Sequence, residues 1–421
     1  MSGLAMVPER SDPGRHGGSG MSTQTTRSAE VVRSAPPPRP VVGSDESLLR
    51  EVASALVRLS RQRGVPHPVY PAKVQNAYNR LVLHCLRSGV EPPDSVPGMV
   101  SWACERPLRQ WPLKLPPEAR GAAGTLVDPQ TRLPHQLCFE WEVDAADPAA
   151  EIFENQRMLE ALTVCRAAGA PEAYTAFRSL LISRPVLTGA ELALLGGDPQ
   201  CGLLLHHVIR QCYEPVPVTY RSDGGYRQCG RCRCLMVPLP GGGHRCELDR
   251  CRRDATAATA VPVRPDRSGL YQLSRPLRMF VTSPGLAEHD IGAALKRRFG
   301  IDPEMWPQFD AYDLRVPLPG GRYWAVDVKD RVNPVLLART LTPFRAEPPF
   351  DRAFLVVPRY RFRENEAYGR QFRRNLPDEL TGRITLLDDR TFLRLVAEQI
   401  AGRVAGLTEV ASPRSEGDHH A

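Results

Sequence analysis

Asp327-Val328-Lys329 is the only acid-x-Lys triplet in the chain, and Asp313 stands a short distance before it. Residues two apart on a strand face the same side, so Asp327 and Lys329 project together while Val328 points into a core. If Tyr323 to Lys329 forms a hairpin with Ala311 to Val316, Asp313 comes to lie mid-strand beside Asp327. Two carboxylates meeting at a sheet edge, with the Val328 backbone carbonyl as a further oxygen, suit Mg²⁺. Lys329 would then orient or help deprotonate a water, while the ion polarises a phosphate and stabilises the departing oxygen.

Chance alone would supply roughly 0.4 acid-x-Lys triplets, given 47 acidic residues in 421 and four lysines. The triplet therefore gains its weight from the elements around it. Pro284-Gly285-Leu286-Ala287-Glu288 opens an amphipathic helix through Ile291, Leu295 and Phe299 that Gly300 ends. The strand at 311–316, the hairpin signal Pro317-Leu318-Pro319-Gly320-Gly321 and the strand at 323–329 follow. Next come a buried strand at 353–358, a helix near 363–375, a strand at 383–387 and a helix at 390–402. This αβββαβ order with a closing helix predicts a mixed sheet with helices packed on it. Asp310 is a rival to Asp313 but lies nearer the strand's start, and Asp330 is expected to face away from Lys329.

A second constellation lies upstream. Cys229, Cys232, Cys234, Cys246 and Cys251 fall within one short span, and a glycine-rich hairpin at 241–243 separates the first three from the last two. Thiolates two residues apart on a tight turn converge on one soft cation, so Cys229, Cys232, Cys246 and Cys251 are the expected ligands of a structural zinc. The four-residue gap in the second pair keeps Cys234 and His244 open as substitutes. A closed four-thiolate site has no position for water, so this metal would hold a small module together and not catalyse. The other cysteines (Cys85, Cys104, Cys138, Cys165, Cys201, Cys212) are scattered and read as reduced, buried thiols.

The remaining sequence sets the frame. Residues 1–44 lack periodicity and are read as a disordered tail, as are 406–421. A mainly helical module is predicted over 45–214, with helices from Ser44 and Asp45 through Leu59, over 71–88, 148–168 and 171–183, and one short strand at Cys138 to Trp141. Two short helices at 188–192 and 201–212 would allow a winged-helix arrangement, though simple helical packing is the plainer expectation. A zinc-ribbon-like module with its linker spans 215–262, and the part that carries Asp313, Asp327 and Lys329 spans 263–405. The net charge of +8 is carried mostly by arginine and permits a polyanionic partner without requiring one. No apolar stretch is long enough to cross a bilayer, and the N-terminus lacks a signal core, so a cytoplasmic protein is expected.

The element order together with Asp313 and Asp327-Val328-Lys329 resembles the core of the PD-(D/E)xK nuclease superfamily. That likeness implies a restriction-endonuclease-like fold, a catalytic Mg²⁺ and a hydrolase acting on nucleic acid, DNA foremost. Glu288 resembles the additional acid that many members supply from their first helix as a further metal contact. Tyr174 to Ile182, Arg184 to Thr188 and the cysteine knuckle, with the nuclease motif, are similar to the restriction-endonuclease-type proteins associated with prokaryotic PIWI-RE gene islands. This second resemblance implies defence against invading DNA beside a PIWI-like protein and a helicase. Two other readings remain: an inactive nuclease-fold adaptor, and a zinc-ribbon DNA-binding regulator.

Overall fold

The structure is a computed structural model that describes residues 44–61, 70–116, 124–143, 148–222, 225–252 and 258–402. The predicted tails, 1–44 and 406–421, lie outside the described residues except for Ser44. Helix formation follows apolar periodicity at the N-terminal end. Ser44–Arg61 buries Leu48, Leu49, Val52 and Leu56 in one core with Val74, Ala77, Leu81 and Cys85 of Ala72–Arg87. Gly89, with φ of 68°, follows the end of the second helix.

The strand expected at Cys138 to Trp141 is instead part of a helix, Gln136–Val143. Every residue from Gln136 to Glu142 is buried, so this helix has no polar face to display a 3.6-residue period, and its β-prone side chains mislead. Helices Pro148–Ala167 and Pro171–Ser183 form as expected.

After Pro171–Ser183 come β1 (Val186–Thr188), helix Gly189–Leu194, helix Gly202–Cys212 and β2 (Tyr213–Pro215). Thr188 and Glu191 start the first of these helices with a reciprocal capping box. The cysteine module then interrupts the run. Its strands are β3 (Tyr226–Cys229), β4 (Met236–Pro238), β5 (His244–Cys246) and β6 (Ala260–Val263), with helix Asp249–Arg252 between the last two. β4 pairs with β5 across the glycine turn, and β3 pairs with β6. Ala260 to Val263, read from composition as linker, is thus a paired strand. β7 (Leu270–Leu273) lies antiparallel between β1 and β2. Three helices with sheet order β1-β7-β2 reproduce the element order of a winged helix, with the cysteine module inserted before its last strand.

The third part is the mixed sheet. Its strands β8 (Glu304–Met305), β9 (Leu314–Leu318), β10 (Arg322–Val328), β11 (Arg352–Val357) and β12 (Ile384–Asp388) lie in the order β12-β11-β10-β9-β8. β10, β11 and β12 run parallel, and the β8-β9-β10 meander is antiparallel. Gly320 and Gly321, with φ of 82° and 73°, make the tight β9–β10 turn. On one face Trp324, Val326 and Val328 share a core with Ile291 and Leu295 of Ser283–Phe299 and Phe392 and Val396 of Asp389–Ile400. On the other, Leu355 and Val357 pack with Leu337 of Pro334–Thr340 and Tyr368 and Phe372 of Tyr368–Asn375.

This part departs from expectation in four ways. The short edge strand β8 and the helix Pro334–Thr340 are additional. The single helix near 363–375 is two, Arg359–Glu364 and Tyr368–Asn375, broken at Asn365, whose side chain accepts from the Ala367 amide at 3.1 Å. β9 begins at Leu314, so Asp313 stands just before the strand and not within it. The delay comes from a left-handed turn in which Trp306, Gln308, Phe309 and Asp310 all have positive φ. Among the described residues no helix is long and apolar enough to cross a membrane.

Candidate active site

Register alone puts the two aspartates together. Val326 lies opposite Leu314, and one further step of this antiparallel ladder sets Asp313 opposite Asp327. Asp313 is buried, and its Oδ2 accepts from the Val328 amide at 2.6 Å. Lys329 Nζ donates to Asp327 Oδ1 at 3.0 Å and lies 3.5 Å from Asp313 Oδ2. The side chains of Asp327 and Lys329 are 20% and 33% exposed, so these two open onto solvent. The three sequence-predicted residues therefore meet at one end of the β9–β10 pair.

Glu288 joins them. It was expected at a helix N-terminus, but Ser283–Phe299 continues from Arg275–Leu277 through a π-helical stretch, Arg278–Thr282. Glu288 thus sits inside a continuous helical run, where a helix dipole does not account for it, and it is buried. One oxygen accepts from Trp306 Nε1 at 2.5 Å. The other accepts from Arg178, a residue the sequence reading had not singled out as a site residue.

Arg178 comes from helix Pro171–Ser183. Its Nη2 donates to Glu288 Oε1 and to Asp313 Oδ1, each at 2.9 Å, and Nη1 pairs with Asp310. Tyr174 also donates to Asp310, at 3.2 Å, so Asp310, the sequence rival to Asp313, serves this arginine and not the lysine. A signal was present: Arg178 interrupts the apolar face formed by Tyr174, Phe177 and Leu181, and an arginine there requires buried counter-charge. Asp330 belongs to a different network. It receives Arg361 Nε at 2.7 Å and the Tyr360 hydroxyl.

Close helix packing delivers Arg178. A Cβ on Gly285 would lie 2.3 Å from Ile182 Cδ1, so only glycine lets the two helices approach here. Gly285 is three residues before Glu288, and Ile182 is four after Arg178. Gly285→Ala should gain about 1 kcal/mol of helix propensity but cost about 1–3 kcal/mol in overpacking against a buried side chain. The expected result is a lower urea midpoint and weaker cleavage; an unchanged midpoint and rate would show that this contact does not position the arginine.

The electrostatics follow from gathering four carboxylates, Glu288 and Asp313 buried among them, beside two cations. Burial pushes Asp327 up to about 7 against the pull of Lys329, with Asp313 adding to the rise. Burial likewise raises Glu288 to about 8, opposed by Arg178. Burial would raise Asp313 too, but Lys329 and Arg178 outweigh it and hold this carboxylate below its ordinary value. Lys329 is held above the usual lysine range because Asp313 and Asp327 overcome its burial. A site with surplus carboxylate charge of this kind is suited to a divalent cation.

Asp313, Asp327, Lys329 and Arg178 line a cleft of about 400 Å³ whose wall also carries Arg331, Arg345, Leu336 and Leu337. Buried polar contacts, the first of them from Glu140 on the cleft wall, tie the strand end to the rest of the chain. Glu140 accepts from the Val332 and Asn333 amides at 2.8 and 2.9 Å. Arg361 joins Asp330 to Asp249 at 3.3 Å and to Gln136 at 2.8 Å.

The second constellation is also assembled. Cys229, Cys232, Cys246 and Cys251 are buried, with their sulfurs all within 4.8 Å of one another, and could hold a metal ion such as zinc. Hydrogen bonds from the other thiols, Cys232 first, hold Cys229 far below the usual thiol range. Cys251 reaches the group from helix Asp249–Arg252, which accounts for the four-residue gap. Cys234 is buried but lies outside this four-sulfur group, and His244 Nε2 is bound to the Ser222 hydroxyl at 2.7 Å. The six scattered cysteines are buried and form no disulfide, as expected.

Residues 48–188 match the family model described as pPIWI_RE three-gene island domain Y, and residues 285–403 match that of the REase associating with pPIWI_RE. No curated protein and no solved structure matches the chain. The second match contains Glu288, Asp313, Asp327 and Lys329, and the first contains Arg178 and Glu140. The chain therefore carries, in one polypeptide, a segment similar to domain Y of the pPIWI_RE three-gene islands and a segment similar to the REase associating with pPIWI_RE.

Proposed function

We propose that the C-terminal part, 263–405, is a PD-(D/E)xK endonuclease with a restriction-endonuclease-like core that hydrolyses DNA phosphodiesters with Mg²⁺, in defence against invading DNA. The observation that carries this reading is the meeting of Asp313, Asp327 and Lys329 at the end of one hairpin, open to a cleft. Asp313, Asp327 and the Val328 carbonyl would hold the ion, which when bound polarises the phosphate and stabilises the departing oxygen. Lys329, fixed by both aspartates, holds the attacking water and stabilises developing negative charge. Arg331 and Arg345 on the cleft wall offer positive charge to the phosphate backbone. Glu288 enters through Arg178.

In this reading the four cysteines hold a structural zinc, and the modules at 45–214 and 215–262 position the substrate or island partners such as a PIWI-like protein and a helicase. The protein would act in the cytoplasm, where such DNA is met.

The direct test is incubation of the full chain with plasmid, linear duplex, single-stranded DNA and RNA, with Mg²⁺ or with EDTA. DNA should be cut with Mg²⁺ and left intact with EDTA. Binding of DNA without cutting in any divalent ion would replace the hydrolase by an adaptor.

A further inference from the structure

We propose that Arg178 is the resident second cation of this site, so that the nuclease takes one divalent ion and not two. The inference rests on the reading above that Asp313 and Asp327 bind a divalent ion. Two-metal sites place a second ion between carboxylates about 3.5–4 Å from the first. Here the ground between Glu288 and Asp313 is held by one nitrogen, Arg178 Nη2, at 2.9 Å from an oxygen of each. An ion bridging those oxygens at the usual distance of about 2.1 Å would have to displace it.

The surrounding contacts keep the guanidinium in place. Nη1 is taken by Asp310, which Tyr174 also holds, and Arg178 Cζ lies 5.1 Å from the Trp306 ring centroid. Trp306 in turn occupies the other Glu288 oxygen. Glu288 therefore has both oxygens committed to protein donors. Asp313 spends one oxygen on Arg178 and the other on the Val328 amide, while the exposed side of Asp327 faces the cleft.

Charge balance agrees. Glu288, Asp310, Asp313 and Asp327 contact Arg178 and Lys329 directly, so even with all four ionised the surplus is two negative charges, which one divalent ion neutralises. A second divalent ion would overcharge the same group. Because helix Pro171–Ser183 lies within the domain Y match and the carboxylates of the metal site within the REase match, the site is completed by both families' segments.

The test is calorimetric titration of the full chain with Mn²⁺, beside thermal melts with and without the ion. Wild type should bind one Mn²⁺. Arg178→Gln, which removes the charge and, being two bonds shorter, vacates the position of Nη2 while staying polar, should bind two, and adding Glu288→Gln should return the count to one. Glu288→Gln alone should retain one ion, an arm that does not depend on how well the arginine variant folds. Two ions in wild type, an unchanged single site in folded Arg178→Gln, or loss of the ion in Glu288→Gln would each overturn the proposal. A folded wild type that binds no Mn²⁺ and melts identically with it would instead overturn the underlying metal-site reading.

Discussion

Asp327→Ala should lower Mg²⁺-dependent cleavage by at least about a thousandfold while leaving the melting midpoint unchanged or higher. The two effects have one cause. Asp327 is pushed up to about 7 by burial and by Asp313 beside it, despite Lys329 at 3.0 Å. A carboxylate held in such surroundings is unfavourable for the fold and useful only once a cation arrives, so its removal relieves repulsion. Lys329→Ala should behave differently. It also lowers cleavage, by about a hundredfold or more, but it strips a buried aspartate of a counter-charge and should cost about 1–3 kcal/mol of stability. Plasmid nicking and chemical denaturation of the three proteins separate these outcomes. Equal cutting by all three would remove Asp327 and Lys329 from the chemistry.

Loss of a cysteine ligand should produce the second large effect. Cys232→Ala or Cys246→Ala is expected to reduce zinc, measured by atomic emission, from about one per chain to none, because a four-thiolate site missing one thiolate no longer closes. The module is small, with short strands and a core of the cysteines themselves plus Met236, Leu248 and Met279. Without the ion it has little else to hold it, and a melting midpoint lower by about 10 °C is expected if some 5 kcal/mol of stability is lost. Cys234→Ser and His244→Ala should keep their zinc, since neither belongs to the four-sulfur group. Zinc retained by Cys232→Ala but lost from Cys234→Ser would mean that the ligand set is different.

The damage should also reach the nuclease cleft. Asp249 shares its short helix with Cys251, and Arg361 connects Asp249 to Asp330, the residue after Lys329. Displacing that helix frees Arg361 from one of its buried partners next to the candidate site. Zinc-depleted protein is therefore expected to cleave more slowly even before it unfolds.

What the sequence determined by itself was local chemistry. The acid-x-Lys spacing, the glycine turn at 319–321 and the strand parity at 323–328 were enough to bring Asp327 and Lys329 to one face, because a period of two and a tight turn are short-range properties. The same holds for Cys229 and Cys232 on one turn, and for Asn333-Pro334, a capping pair that marks a helix start. Tertiary structure decided the rest. The helix at 136–143 was hidden because burial on all sides erases amphipathic periodicity. The left-handed turn at 306–310 moved Asp313 ahead of its strand without separating it from Asp327, since ladder register and not strand membership sets that distance. Arg178, 135 residues from Asp313 along the chain, became part of the site only when Gly285 let two helices close on each other. No sequence period encodes such a meeting, because it depends on which faces pack and how nearly.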